Sequence, residues 1–251
     1  MTDYLRIAKG LMQDLSLLHR PVAVCFTDAV PDGVPQYPER VPAGCRFWQE
    51  GATASFATSA VDHALCAIGT YTHNLQAGPA QQQELMAALQ LFRELDYVRE
   101  EDVAALPVLQ KSPRYVLYAP LDETRVRPDV VLLFVNASQA LVLSEAVQQV
   151  EQDHAPAMGR PACAVVPQVA NTGRAAVSMG CCGARAYLDV LREDTMLFAL
   201  PGATLEAYAQ RVEVLAAANR TLSRFHQIRQ RELTAGRRPS IEELVVQVQT
   251  L

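Results

Sequence analysis

The chain has 251 residues, half of them hydrophobic and a fifth charged, with fifteen Pro, twelve Gly and six Cys, a composition ordinary for a globular fold. Six thiols over that length are too few to replace a hydrophobic core with bridges, which excludes a disulfide-stapled miniprotein and a Cys-dense secreted scaffold. Twenty-two Lys and Arg against twenty-seven Asp and Glu leave a formal net charge of −5 and no long basic run, which argues against nucleic acid as a partner.

Leu5, Ala8, Leu11, Met12, Leu15 and Leu18 recur at helical spacing ahead of Pro21 and predict a first amphipathic helix. Asp3, Arg6, Lys9 and Asp14 interrupt that segment, so it lacks the apolar core of a signal peptide. The strongest apolar runs, such as residues 130–135, fall far short of the roughly 20 residues that a membrane-spanning helix needs. No membrane partner is expected, and the cytoplasm, where thiols stay reduced, is the expected location. Residues 22–26 read as a buried strand. Residues 28–44, with Pro31, Gly33, Pro35, Pro38 and Pro42, read as an irregular excursion that delivers Cys45. Residues 51–60 are strand or loop, and residues 81–97 form a predicted helix with Leu85, Ala88, Leu89, Phe92 and Leu95 on one face.

Residues 115–118 and 130–135 are predicted strands. The second runs through Asn136 into the periodic Ala140, Leu141, Leu143, Ala146 and Val147, a strand entering a helix through a capping turn. An apolar run over 162–166, a turn near Gly173 and residues 175–179 lead to Gly180-Cys181-Cys182-Gly183. Residues 196–200 read as a strand, 205–231 as a long helix, and 241–248 as a closing helix with Ser240 as cap and Glu243 at its third position. No repeat, linker or low-complexity block divides the chain. The expected fold is a single α+β domain over residues 1–251, with a mixed sheet, flanking helices and a long C-terminal helix, residues 204–251 forming a helical extension.

The thiols differ in setting. Cys25, inside Val22-Ala23-Val24-Cys25-Phe26, reads as a small core hydrophobe. The other five stand beside polar, glycine-containing or turn-prone segments. No C-x-x-C is followed by another close pair, so a compact zinc module is absent. Cys45 and Cys66 are twenty-one residues apart, Cys163 and Cys181 eighteen, and ninety-seven separate Cys66 from Cys163. A four-thiolate site would therefore be gathered by the tertiary fold from two halves of the chain.

At Gly180-Cys181-Cys182-Gly183-Ala184-Arg185 the glycines permit a tight turn and Arg185 favours a thiolate. Three readings stand there: a structural turn; metal ligation by Cys181, with Cys182 as packing or a neighbouring thiol; and thiol redox chemistry of the pair. His63, three residues before Cys66, is placed to orient a loop, serve as an alternate ligand or transfer a proton, and His73 is a candidate for the same wall. Phe47 and Trp48 are candidates for an apolar pocket or for core packing. Arg46 and Arg185 adjoin candidate cysteines and offer donor forks to an anionic substrate. Dinucleotide, phosphate-loop, H-E-x-x-H and G-x-S-x-G motifs are all missing.

Four blocks of this sequence resemble the bacterial and archaeal family known as domain of unknown function 169. They are Pro21-Val22-Ala23-Val24, Cys45-Arg46-Phe47-Trp48, His63-Ala64-Leu65-Cys66-Ala67-Ile68-Gly69 and Gly180-Cys181-Cys182-Gly183-Ala184-Arg185. Residues 130–141 and Pro201-Gly202 are similar to it as well, while Ala67 and Ala137 depart from its pattern and bear on local loop geometry. The resemblance implies that Cys45, Cys66, Cys163 and Cys181 occupy the family's cysteine positions, and it carries a fold expectation without an assigned reaction. With it added, the expectation is a cytoplasmic iron–sulfur protein. One cluster, 4Fe-4S, is held by those four cysteines, with His63, Arg46, Arg185 and Cys182 around it or in contact with substrate, for redox work or small-ligand binding. The expected partner is a small-molecule substrate or a redox partner protein. The alternatives are a ligand-binding or structural protein with a zinc–thiolate site or no metal, and a thiol redox enzyme using Cys181 and Cys182.

Overall fold

A computed structural model describes residues 2–39, 43–63, 65–76, 78–152, 154–159, 161–187 and 190–249, without the side chain of Tyr187; Pro42 of the proline-rich excursion and Ala64 lie outside the described residues. Strand β4 (Val130–Val135) is buried at every position. Val130, Leu132 and Phe134 enter one core and Val131, Leu133 and Val135 another, as expected of a strand covered on both faces. It pairs antiparallel with β1 (Val22–Thr27) on one side and β7 (Met196–Pro201) on the other. Beyond β1 lie β3 (Tyr115–Pro120) and β2 (Phe56–Thr58), and beyond β7 lie β6 (Ala176–Ser178) and β5 (Ala157–Met158). The order is β2-β3-β1-β4-β7-β6-β5. Among the strands of the sheet β5 and β6 pair in parallel and the other neighbours antiparallel, so the sheet is mixed and the fold α+β.

One face of the sheet is covered by α1 (Tyr4–Leu15), α6 (Ala137–Val150) and the first part of α8 (Leu205–Thr234). Asp3 starts α1 by accepting the Arg6 N–H at 3.0 Å, one of the N-terminal donors a helix leaves unpaired. The helix stops at Ser16, whose φ of 52° is left-handed. Leu18, expected on the helical stripe, therefore lies beyond the helix and is 89% exposed. At α6 the strand-to-helix turn closes as a reciprocal box. Asn136 N–H donates to Gln139 Oε1 at 2.8 Å, and Gln139 N–H to Asn136 Oδ1 at 3.0 Å. Past Ala216, α8 continues and packs against α9 (Ile241–Gln249), with Ile228 and Leu244 buried. The Ser240 and Glu243 pair caps α9 in both directions, at 2.8 and 3.2 Å.

The other face carries α2 (Arg46–Gly51), α3 (Ala67–Thr72) and α7 (Val165–Thr172). Phe47, Trp48, Val165, Val166 and Val169 share a core there with Val22, Val24, Tyr118 and Leu132. A Cβ on Gly51 would meet Val22 Cγ1 at 2.8 Å and Tyr118 Cβ at 3.1 Å, so only glycine lets α2 settle this closely on β1 and β3. The apolar run at 162–166 is helical: a 3-10 turn at Ala162–Ala164 feeds straight into α7. Two further helices, α4 (Pro79–Glu94) and α5 (Glu100–Ala104), contain no fully buried residue. No helix among the described residues is long and apolar enough to cross a membrane.

Candidate functional site

Each candidate thiol stands at or just before a helical turn on the second face. Cys45 precedes α2, Cys66 precedes α3, Cys163 sits in the 3-10 turn before α7, and Cys181 lies just ahead of a π-helical turn at Gly183–Tyr187. Cys45 and Cys66 flank β2 while Cys163 and Cys181 flank β6, strands on opposite sides of the central β1–β4 pair. The connecting segments nevertheless converge, and all four line one cavity of about 390 Å³, together with Cys182, Trp48 and Ile68. The same cavity is lined by Leu85, Leu89 and Phe92 of α4 and Val103 of α5. Cys25 is elsewhere: it packs with Ala57 and Leu117, and burial pushes its thiol up to about 12.

Burial is the largest influence on the acidity of Cys45, Cys66 and Cys163. Cys45 is pushed up to about 12 by burial, with Cys66 and Cys181 adding to the rise. Burial also raises Cys66, against which the backbone N–H groups of Gly44 and Gly69 work by hydrogen bonding to its sulfur; Cys181 and Glu84 add to the rise. Cys163 lies well above the usual thiol range through burial and then Cys66, opposed by a hydrogen bond with Thr72 and reinforced by Cys181 and Cys45. The four candidate sulfurs thus occupy one electrostatic neighbourhood. No Lys, Arg or His is among the described residues lining the cavity. The free thiols of Cys45, Cys66 and Cys163 are consequently protonated at neutral pH, and a soft cation that binds them displaces protons.

Several buried polar atoms at the site have no hydrogen-bond partner among the described residues: Trp48 Nε1, Tyr118 OH and His63 Nδ1. Tyr118 comes from β3, opposite Val24, and Cys66, Cys45 and Cys163 all add to the burial that raises its hydroxyl. His63 Nε2 lies 3.1 Å from the Thr58 hydroxyl, which is also 3.3 Å from Val116 O. Nδ1 has no hydrogen-bond partner among the described residues. It points toward Gly44, where an added Cβ would lie 3.0 Å from Nδ1 and 3.6 Å from Cys66 Sγ. His73 lies behind His63, ring centroids 6.1 Å apart, with both ring nitrogens unpartnered among the described residues. Burial lowers His63 to about 3, with His73 contributing, and lowers His73 to about 4.

The remaining candidates are placed differently. Arg46 turns to Glu50 at 3.0 Å and Gln49 at 3.1 Å on an exposed side of α2. The Arg185 guanidinium is spent on backbone carbonyls: Met179 O at 2.7 Å, Arg192 O at 2.5 Å, Thr195 O at 3.0 Å and Leu191 O at 3.4 Å. It clamps the loop that carries Cys181. Cys182 is exposed on the cavity lining. Tyr118, Thr58, Gly44 and Gly69 were not singled out from sequence. The strand period of two places Tyr118 with Val116 on one face of β3, and that alternation is the only linear signal among the four.

Among the described residues no group of three or more His, Cys, Asp or Glu side chains is disposed to hold a metal ion. A family model, DUF169, described as an uncharacterised ArCR, matches residues 10–211, a span that includes all six cysteines and stops within α8. No curated protein and no solved structure matches the chain.

Proposed function

We propose, from the premise that the chain belongs to the DUF169 family, that it is a cytoplasmic iron–sulfur protein in which Cys45, Cys66, Cys163 and Cys181 hold one 4Fe-4S cluster beside a small-molecule cavity. The observation that carries this reading is the gathering of four thiols from two halves of the sheet onto one wall, each within the field of others. Such a wall is unfavourable as four thiolates alone, and cationic iron offsets their mutual repulsion.

The surroundings fit a sulfur-rich anionic group. Tyr118 O–H and Trp48 Nε1–H are buried donors lacking partners among the described residues, and buried donors of this kind are normally satisfied. Gly44 and Gly69 N–H groups already point at the Cys66 sulfur, the arrangement that stabilises a ligating thiolate. Burial holds His63 neutral, and α4 and α5 line the cavity with apolar side chains. A cluster held by all four cysteines would supply one-electron transfer.

The test is anaerobic purification followed by iron, acid-labile sulfide and zinc analysis with a visible spectrum. Iron and sulfide in equal amount, with a band near roughly 400 nm that is lost in Cys66→Ser and Cys163→Ser, are expected. Protein without iron or the band overturns the reading, and one zinc per chain replaces it with a structural thiolate site.

A further inference from the structure

The excursion between α3 and β3 is tied at both ends and open between them. At its start Gln81 donates to His63 O at 3.2 Å and to Ala60 O at 3.4 Å, fixing the first turn of α4 to the loop of Cys66. At its end Leu109 N–H donates to Thr72 O at 2.8 Å, and Asn74 Nδ2 to Leu109 O at 3.0 Å. Between these ties, Leu85, Ala88, Leu89 and Phe92 form a stripe at helical spacing. They are half-buried only, and they line the same cavity as Trp48 and Cys66. An apolar stripe in that state has no core of its own to fill, and a roomy, largely apolar chamber with few polar groups is the usual form of a small-molecule site.

We propose that this chamber seats an uncharged, largely apolar organic molecule, enclosed by α4 and α5. The proposal deepens the cluster reading and rests on it for the floor of the seat. Charge argues against other ligand classes. Apart from the thiols, the acidic groups among the described lining residues are Glu84 and Asp102, with the phenols of Tyr71 and Tyr97, and there is no Lys, Arg or His. A carboxylate or phosphate would be desolvated there without a counter-charge. Asp102 is already paired with Arg99 at 2.9 Å and Glu84 is exposed, so neither carboxylate offers a cation a buried partner.

Equilibrium dialysis of the anaerobically prepared full chain against 2-naphthol and naphthalene-2-sulfonate compares one ring system with and without a negative charge. Saturable 2-naphthol binding is expected, with the sulfonate weaker by about tenfold or more. Ala88→Trp, which fills the chamber from a half-buried position, should weaken 2-naphthol by about tenfold with an unchanged circular dichroism spectrum. If that variant loses helical signal, Leu89→Gln takes its place with the same expectation. Failure of the wild-type chain to retain 2-naphthol, equal binding of the two probes, or binding unaffected by the folded variant overturns the proposal. Iron and sulfide measured on the same sample keep the two ideas apart: a cluster without naphthol binding removes the seat alone, and naphthol binding without iron removes the cluster alone.

Discussion

The sulfur of Cys66 rests against the bare Cα of Gly69, where an added Cβ would stand 2.5 Å from it. Within a helix, Ala is ordinarily the better residue by about 1 kcal/mol. Here the methyl group displaces the thiol instead. Gly69→Ala is expected to keep the fold while losing most of the bound iron, read as iron per chain beside the thermal midpoint. Gly10 in α1 is the control, since its Cβ would meet nothing within 4 Å; Gly10→Ala should gain up to about 1 kcal/mol and keep its iron. Full iron content in Gly69→Ala would separate Cys66 from the metal.

Tyr118→Phe removes a buried hydroxyl that has no partner among the described residues. In metal-free protein the change should be neutral or stabilising by about 1 kcal/mol, raising the thermal midpoint by about 2–4 °C. In cluster-loaded protein it removes a donor to sulfur and lowers the reduction potential, measured by redox titration. Destabilisation of the metal-free variant by more than about 1 kcal/mol would mean that the hydroxyl has a partner after all.

Acid should weaken the fold through two histidines. His63 and His73 are held neutral, at about 3 and about 4, whereas in an unfolded chain they titrate near about 6.5. Between those limits the unfolded chain binds protons that the folded chain refuses, so stability falls as pH drops from about 6.5 toward 4 and is level above that window. The loss is about 2 kcal/mol per ring by pH 5. Urea denaturation at pH 7.5, 6 and 5 should show it, and His73→Phe should remove about half. A flat profile in the wild-type chain would place the rings in contact with solvent or with a carboxylate.

Removal of Arg185 leaves the carbonyls of Met179, Leu191, Arg192 and Thr195 without their shared donor. Arg185→Ala should cost about 2–3 kcal/mol and speed iodoacetamide modification of Cys181 and Cys182 in metal-free protein, followed by mass spectrometry. Arg185→Lys should recover less than half of the loss, because one ammonium cannot span the fork. Unchanged alkylation in Arg185→Ala would make the clamp irrelevant to the thiol loop.

Much of the fold was legible because local signals and tertiary structure agree. The run from Val130 into the Asn136 cap and the Ser240–Glu243 box carry their own geometry in sequence. Short elements were not legible in the same way. Residues 46–51 become helical because Phe47 and Trp48 are buried against the sheet and Gly51 admits β1 and β3, which no six-residue window encodes. The cysteine positions could be picked out by their loop settings and by resemblance, yet their meeting at one cavity depends on the strand order. That Tyr118 OH and His63 Nδ1 have no partner among the described residues depends on what surrounds them in space, and a linear pattern does not record that.

The split of the thiols about the central strands also sets a timetable. Cys45 and Cys66 are made while the C-terminal half of the sheet does not yet exist, and Cys181 follows Cys66 by 115 residues. An ion that meets the emerging chain early finds two sulfurs without the wall that would hold them. If the four thiols hold a cluster, loading would follow completion of the sheet, when all four stand at one cavity.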